Sequence, residues 1–267
     1  MWHNYLNHII FNPFKLIRGV FIWLPLLVIL FSCKHSEKEH RIDESHAQEN
    51  DKSIYALEGL EHGLIQSPVN ILTSKTSEHI DHNIEIIINK ADSSSKVSNT
   101  GHSVQLDFDS GSSIRFNGVE YEFLQAHFHT PSEHQIDGIT YPMEIHFVCK
   151  EDTDEANYLV AGAFFKMGME NPFISSFIEK IPESPKHTAN LRENPVYIDD
   201  LLLPEEPFND YFHYRGSLTT TPYTESVEWF IMKKILEATP EQIQHINKLE
   251  GNNARHVQAL FGRNIEK

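Results

Sequence analysis

Residues 121–129 read YEFLQAHFH and residues 141–149 read YPMEIHFVC. Tyr121–Phe128 and Tyr141–Cys149 are aromatic and β-branched runs that predict two strands. Side chains in a strand alternate between faces, so His127 and His129 share one face and Phe128 takes the other. In the second run Glu144, His146 and Val148 share one face, while Met143, Ile145 and Phe147 share the opposite one. If the two strands are neighbours, three imidazoles converge from adjacent rungs on a rigid platform. Three neutral nitrogens with a fourth position open are what hydrolytic zinc requires, because the ion acidifies the water it holds. No cysteine stands on either ligand face to blunt that acidity.

Gln125 and Glu144 each precede a histidine by two residues and share its face. Each is placed to accept an imidazole N–H and fix the tautomer, without the sequence saying which pairs with which. The chain has 17 histidines, enough to produce an H-x-H pair by chance. The residues alone therefore leave a metal site and a pair of ordinary strand histidines both open.

Outward from this pair the same pattern continues. Ile84–Ile88, Ser103–Phe108, Ser113–Phe116 and Tyr158–Lys166 predict further strands, punctuated by Asn99-Thr100-Gly101, Ser110-Gly111 and Asn117-Gly118. Asn-Gly is a strong tight-hairpin signal. Helices are predicted over Pro172–Lys180 and Glu225–Glu237, with a turn-rich helical segment over Pro240–Leu249. Many strands and few helices imply a mainly β single domain, a largely antiparallel sheet with short helices on its surface.

The chain has 267 residues, 40% of them hydrophobic, enough for one well-buried core. Its net charge of −16 repels a phosphate backbone and argues against nucleic acid as a partner. Residues 1–32 read as an export signal: Lys15 and Arg18 precede the apolar run GVFIWLPLLVILFS at 19–32, and no acid occurs before Glu37. That run is shorter than the ~20 residues of a spanning helix and contains Pro25. Leu30-Phe31-Ser32-Cys33 resembles a bacterial lipoprotein cleavage motif, although Phe31 is bulky for its place. The resemblance implies lipidation of Cys33, palmitate included, and attachment to a membrane of the cell envelope, facing the periplasm or exterior. A plain transmembrane anchor is the other reading. Residues 33–53 are polar and charged, a tether too poor in apolar surface to fold. Residues 54–267 form the domain. The remaining cysteine, Cys149, ends an apolar strand and is expected to be half-buried and inert, so no internal disulfide forms.

Further motifs fall in order along this domain. Gln66-Ser67-Pro68-Val69-Asn70-Ile71 comes first, then Asn99-Thr100-Gly101-His102, then Gln125–His129 followed by Pro131-Ser132-Glu133-His134. Glu144-Ile145-His146, Gly216-Ser217-Leu218-Thr219-Thr220-Thr221-Pro222 and Asn252–Gln258 complete the series. Together, over Ile65–Arg263, they resemble the alpha-class carbonic anhydrases. The resemblance implies a single domain on a large, mostly antiparallel twisted sheet of about ten strands, with zinc in a conical cleft. It also implies reversible hydration of carbon dioxide to bicarbonate and a proton.

By that resemblance His127, His129 and His146 match the zinc ligands. Gln125, Glu144 and the backbone carbonyl of Asn253 match the groups that hold the ligand imidazoles. Thr219 matches the gatekeeper hydroxyl that accepts from the hydroxide nucleophile, Glu133 the carboxylate that orients it, and Thr220 lines the same wall. Val148, Val160 and Leu218 match the apolar pocket for carbon dioxide, and His102 the proton shuttle.

The sequence departs from the family in three ways. Only about a dozen residues separate the tether from the first motif. Tyr223 stands where bacterial members commonly carry a disulfide cysteine, and Thr221 replaces a proline, so packing and hydrogen bonds must hold the Thr219 turn. Unlike silent members, however, the chain keeps all three ligand histidines. Two rivals differ in class. His127-x-His129-x-x-x-Glu133 superficially resembles the first cupin motif, but no second motif follows. An anchored binding module that keeps zinc only for stability would lack hydration activity.

Overall fold

The structure, a computed structural model, describes residues 63–78, 82–87, 93–109, 111–197 and 210–267. The signal segment, the tether and Cys33 lie outside the described residues. In chain order the strands are β1 (Asn70–Ile71), β2 (Ile84–Ile87), β3 (Ser93–Asn99), β4 (Val104–Phe108), β5 (Ser113–Phe116), β6 (Val119–His129) and β7 (Gln135–Ile136). They are followed by β8 (Met143–Glu151), β9 (Tyr158–Met167), β10 (His187–Asn190), β11 (Val196–Tyr197), β12 (Tyr211–Gly216), β13 (Val227–Met232) and β14 (Leu236–Ala238). Twelve form one sheet whose main path runs β10-β3-β4-β6-β8-β9-β13-β12, and β1 and β7 form a small parallel pair. Only β9 with β13 and with β14 pairs in parallel within the large sheet. The mainly β, mostly antiparallel single-domain architecture expected from the sequence is therefore the one observed.

Both faces of the central strands are covered. One carries Phe123, Ala126, Phe128, Ile145, Phe147 and Cys149 against Phe173, Ile243 and Ile246 from the surface helices and Phe177 from the link between two of them. The other carries Val148, Val160, Phe164 and Trp229 against Val69 and Ile71. β8 consequently has buried residues at seven successive positions. Cys149 is fully buried rather than half-buried, and burial pushes its thiol well above the ordinary range, leaving it inert.

The expected helix over Glu225–Glu237 is absent: β13 and β14 occupy that stretch. Its apolar residues are buried as continuous sheet interior, and such a run has no alternation to separate it from a buried helix. The segment Pro172–Lys180 is helical only over Pro172–Ser175 and again, as a single 3₁₀ turn, over Ile178–Lys180. Helix Pro240–Glu250 forms fully. Thr239 and Gln242 build a reciprocal capping box, and Pro240 sits in the first turn, where its missing N–H costs nothing.

Candidate metal centre

β6 and β8 lie side by side, with His127 opposite His146 and His129 opposite Glu144. The register slips once. Phe123 faces Cys149 and Gln125 faces Val148, leaving Leu124 as an extra residue on β6. This bulge reverses the facing of the strand. Tyr121 and Phe123 enter the helix-side core before it, Ala126 and Phe128 after it, so Gln125, His127 and His129 emerge together on the opposite side. On β9, Gly162 lies opposite His146, and a Cβ there would come within 3.1 Å of Glu144 Oε1.

The three imidazoles meet. Ring centroids are 4.9 Å apart for His127 and His129, 5.3 Å for His127 and His146, and 4.6 Å for His129 and His146. One nitrogen from each lies within 4.8 Å of the others. His127 Nδ1 donates to Gln125 Oε1 at 2.9 Å, which turns the Nε2 lone pair inward. His146 Nε2 donates to Glu144 Oε1 at 2.8 Å, which does the same for Nδ1.

Asn253 corrects an expectation. His129 Nδ1 has no hydrogen-bond partner, and the Asn253 backbone carbonyl does not serve it. The Asn253 side chain makes the contacts instead, accepting from Thr130 N at 3.0 Å and donating to Phe128 O at 3.0 Å. It clamps the backbone on both sides of His129 and leaves that ring edge unbonded.

His127 Nε2, His129 Nε2 and Glu133 Oε2 are buried without hydrogen-bond partners. Leaving such groups unpaired costs about 1–3 kcal/mol each, so their convergence marks a place for a cation. Desolvation, reinforced by His146, pushes His127 down to about 3, and the same causes hold His129 well below the ordinary imidazole range. Both rings are neutral at pH 7, as ligation demands. The donor set fits zinc: three imidazoles, with a carboxylate close by.

Glu144 accepts from the N–H groups of Glu133 and His134, both at 2.9 Å, and from His134 Nδ1 at 2.8 Å as well as from His146. Burial opposes its charge, but His134 and His146 outweigh burial and hold it well below the usual carboxylate range. The chain of contacts continues from His134 Nε2 to Tyr214 OH at 2.6 Å and on to Ser67 Oγ at 2.8 Å. His134 and Ser67 stood in recognised motifs without a role, and Tyr214 lay in a strand the sequence did not predict. Trp229, on β13, packs its ring 4.9 Å from that of His146 and 4.7 Å from that of His134.

Glu133 Oε1 accepts from Arg255 N at 2.9 Å, and Oε2 lies 3.5 Å from His129 Nε2. Burial pushes this carboxyl up to about 7, against the pull of His146 and of the nearby Thr219 hydroxyl. The turn carrying Thr219 needs no disulfide. Ser67 N donates to Ser217 Oγ at 2.9 Å, Ser217 N to Ser67 Oγ at 3.1 Å, and Trp229 Nε1 to Ser217 O at 3.0 Å. Gly216 admits this pairing, since a Cβ there would lie 2.1 Å from Ser67 Oγ. Tyr223 carries the Arg255 guanidinium 3.8 Å above its ring.

A cleft of about 220 Å³ opens over the site, lined by His127, His146, Thr219 and Thr220 together with Val148, Val160, Leu218, Leu124, Tyr158 and Trp229. His102 is not among these residues. It sits on an exposed turn whose carbonyl accepts from Asn253 Nδ2 at 2.8 Å.

The model of the eukaryotic-type carbonic anhydrase family matches residues 56–267. The chain belongs to the alpha-class carbonic anhydrase family. Among curated relatives, the carbonic anhydrase of Pectobacterium atrosepticum is 32% identical over 207 residues, covering 77% of this chain and 80% of that protein. That of Neisseria gonorrhoeae is 33% identical over 204 residues, covering 75% and 76%. The alpha-carbonic anhydrase of Thermovibrio ammonificans, solved with the inhibitor sulfanilamide, superposes with a TM-score of 0.71 at 32% identity, over 78% of this chain and 91% of that one. Family and fold thus match those of enzymes that hydrate carbon dioxide, on a chain whose histidines form a potential metal site.

Proposed function

We propose that this alpha-class carbonic anhydrase is an active zinc enzyme that reversibly hydrates carbon dioxide to bicarbonate and a proton. The observation that carries the reading is the convergence of unpaired imidazole nitrogens beside Glu133 and Thr219, beneath an apolar wall. His127 Nε2, His129 Nε2 and His146 Nδ1 would hold the metal. When bound, zinc supplies Lewis acidity that brings the pKa of a water to about 7, a magnitude for which carbonic anhydrases are themselves the reference case.

The chain's own residues do the rest. Thr219, its proton committed to Glu133, can only accept, so it favours a hydroxyl beside it and aims that oxygen's lone pair at the substrate. Glu144 and Gln125 keep the lone pairs of His146 and His127 turned inward. Val148, Val160 and Leu218 offer a nonpolar molecule a dry wall without a charged clamp, and Thr220 borders it. The product proton leaves by His102, an exposed imidazole on its turn, the side-chain type suited to relay protons near neutrality.

Metal analysis with a hydration assay tests this: about one zinc at the cleft and turnover lost in His127→Ala. Hydration no faster than in buffer, with metal bound, would leave a binding module instead. We also propose that residues 1–32 export the chain and that lipidated Cys33 anchors it at the cell envelope. Cys33→Ser should shift the protein from membrane to soluble fractions.

A further inference from the structure

A second group of histidines and carboxylates lies apart from the cleft. His213 on β12 stands between two acids: Nε2 is 2.8 Å from Glu228 Oε2, and Nδ1 is 3.3 Å from Glu266 Oε2. The same Glu266 oxygen is 3.0 Å from His82 Nε2. The side chains of His82 and His213 are only 7% and 10% exposed, and those of Glu228 and Glu266 both 18%. The rings of His82 and His213 meet edge to face at 4.5 Å, walled by Phe116 and Phe230.

Proton counting shows what the group lacks. A neutral imidazole has one N–H, yet His213 faces a carboxylate from each nitrogen. Arg215 Nε, 3.1 Å from Glu228 Oε1, balances that acid. No lysine or arginine among the described residues pairs with Glu266. A bare carboxylate against an imidazole lone pair in a mostly dry setting is repulsive, so a cation or an additional proton must stand between them.

We infer that His82, His213 and Glu266 form a second metal site, for a divalent transition cation of the zinc type. Bonds of 2.0–2.2 Å to nitrogen and oxygen place tetrahedral ligands roughly 3.4 Å apart. The two distances converging on Glu266 Oε2, 3.0 and 3.3 Å, fit that spacing. Glu228 on the far nitrogen fixes the tautomer that directs His213 Nδ1 at the ion, the usual task of an outer carboxylate.

The site ties distant parts of the chain together. The main chain at Glu266 pairs with His213 on one side and with Ser77 on the other, and His82 follows five residues after Ser77. A bound ion would staple these three segments, a structural role separate from the cleft.

The test counts metal in the full chain after chelation and reloading with Zn²⁺ or Co²⁺. The wild type should take two equivalents. A His127→Ala/His129→Ala variant should keep one, and adding His213→Gln should take that to none. His213→Gln alone should keep one equivalent and full hydration activity, which separates this site from the cleft. Glu228→Gln should weaken the second equivalent by about 10–100-fold. A folded His127→Ala/His129→Ala protein that binds no metal would overturn the inference and leave doubly protonated His213 as the missing charge. Should His213→Gln fail to fold, Glu266→Gln serves for the same count, and an unchanged stoichiometry there would equally overturn it.

Discussion

At the cleft the carboxylate that touches a ligand imidazole, Glu144, stands behind it, whereas in the second cluster Glu266 stands between two imidazoles. Glu144 touches only the outer nitrogen of His146, and the buried Glu133 comes no closer than 3.5 Å to the inward nitrogen of His129. Glu266, in contrast, is contacted directly by two ring nitrogens. Negative charge placed on a metal reduces its acidity, while negative charge held on the far side of an imidazole orients that ligand and raises its basicity more gently. On the two proposals made above, the same residue types would suit an ion that acidifies water in one place and an ion that holds chain segments in the other.

The sharpest way to break this contrast is to remove His129. His129→Ala should abolish cleft metal binding and lower hydration by at least about a thousandfold, with the second equivalent retained; combined metal analysis and a hydration assay check both halves. Glu144→Ala should be next in effect. It leaves His134 and His146 without their acceptor and should cost about 3–5 kcal/mol of stability by chemical denaturation. Thr219→Ala should keep the metal and lower turnover by about a hundredfold, because the nucleophile loses its director and not its source. His213→Gln should leave turnover unchanged and lower the melting temperature by a few degrees in the presence of zinc.

The smallest effect concerns a carboxylate with no imidazole near it. Glu250 accepts from Val104 N at 3.0 Å and from Thr130 Oγ1 at 2.9 Å, and burial pushes it up to about 8. Its folded pKa exceeds the unfolded value near 4.5, so its contribution is full below pH 4.5 and is lost as pH rises towards 8. Glu250→Gln should therefore flatten the decline in stability between pH 5 and 8, measured by urea unfolding at fixed pH. Glu144, equally carboxylate and more deeply buried, should show no such decline because its histidines pull the other way.

The sequence made the centre of the sheet legible because β8 and the last five residues of β6 alternate, which sets His127 with His129 and Glu144 with His146 on one face of each strand. Residues whose meaning depends on distant partners were not legible. His134 acquires its place from Tyr214, 80 residues further on, and Asn253 works through a side chain rather than the carbonyl expected of it. Trp229 falls within the stretch expected as a helix, and its burial within the sheet accounts for apolar neighbours on both sides. The second cluster joins positions 82, 213 and 266, which no local pattern connects.

Leu124 shows how narrowly the arrangement is held. Strand β6 behaves as two rulers laid end to end and offset by a single division, with that leucine filling the gap. Drawing this one residue into the pairing, with no histidine altered, would turn over every position that follows it. The ligand side chains would then turn into the oily interior, and Ala126 and Phe128 would face the opening. The meeting of the three imidazoles therefore depends on a miscount of one in the pairing of two strands.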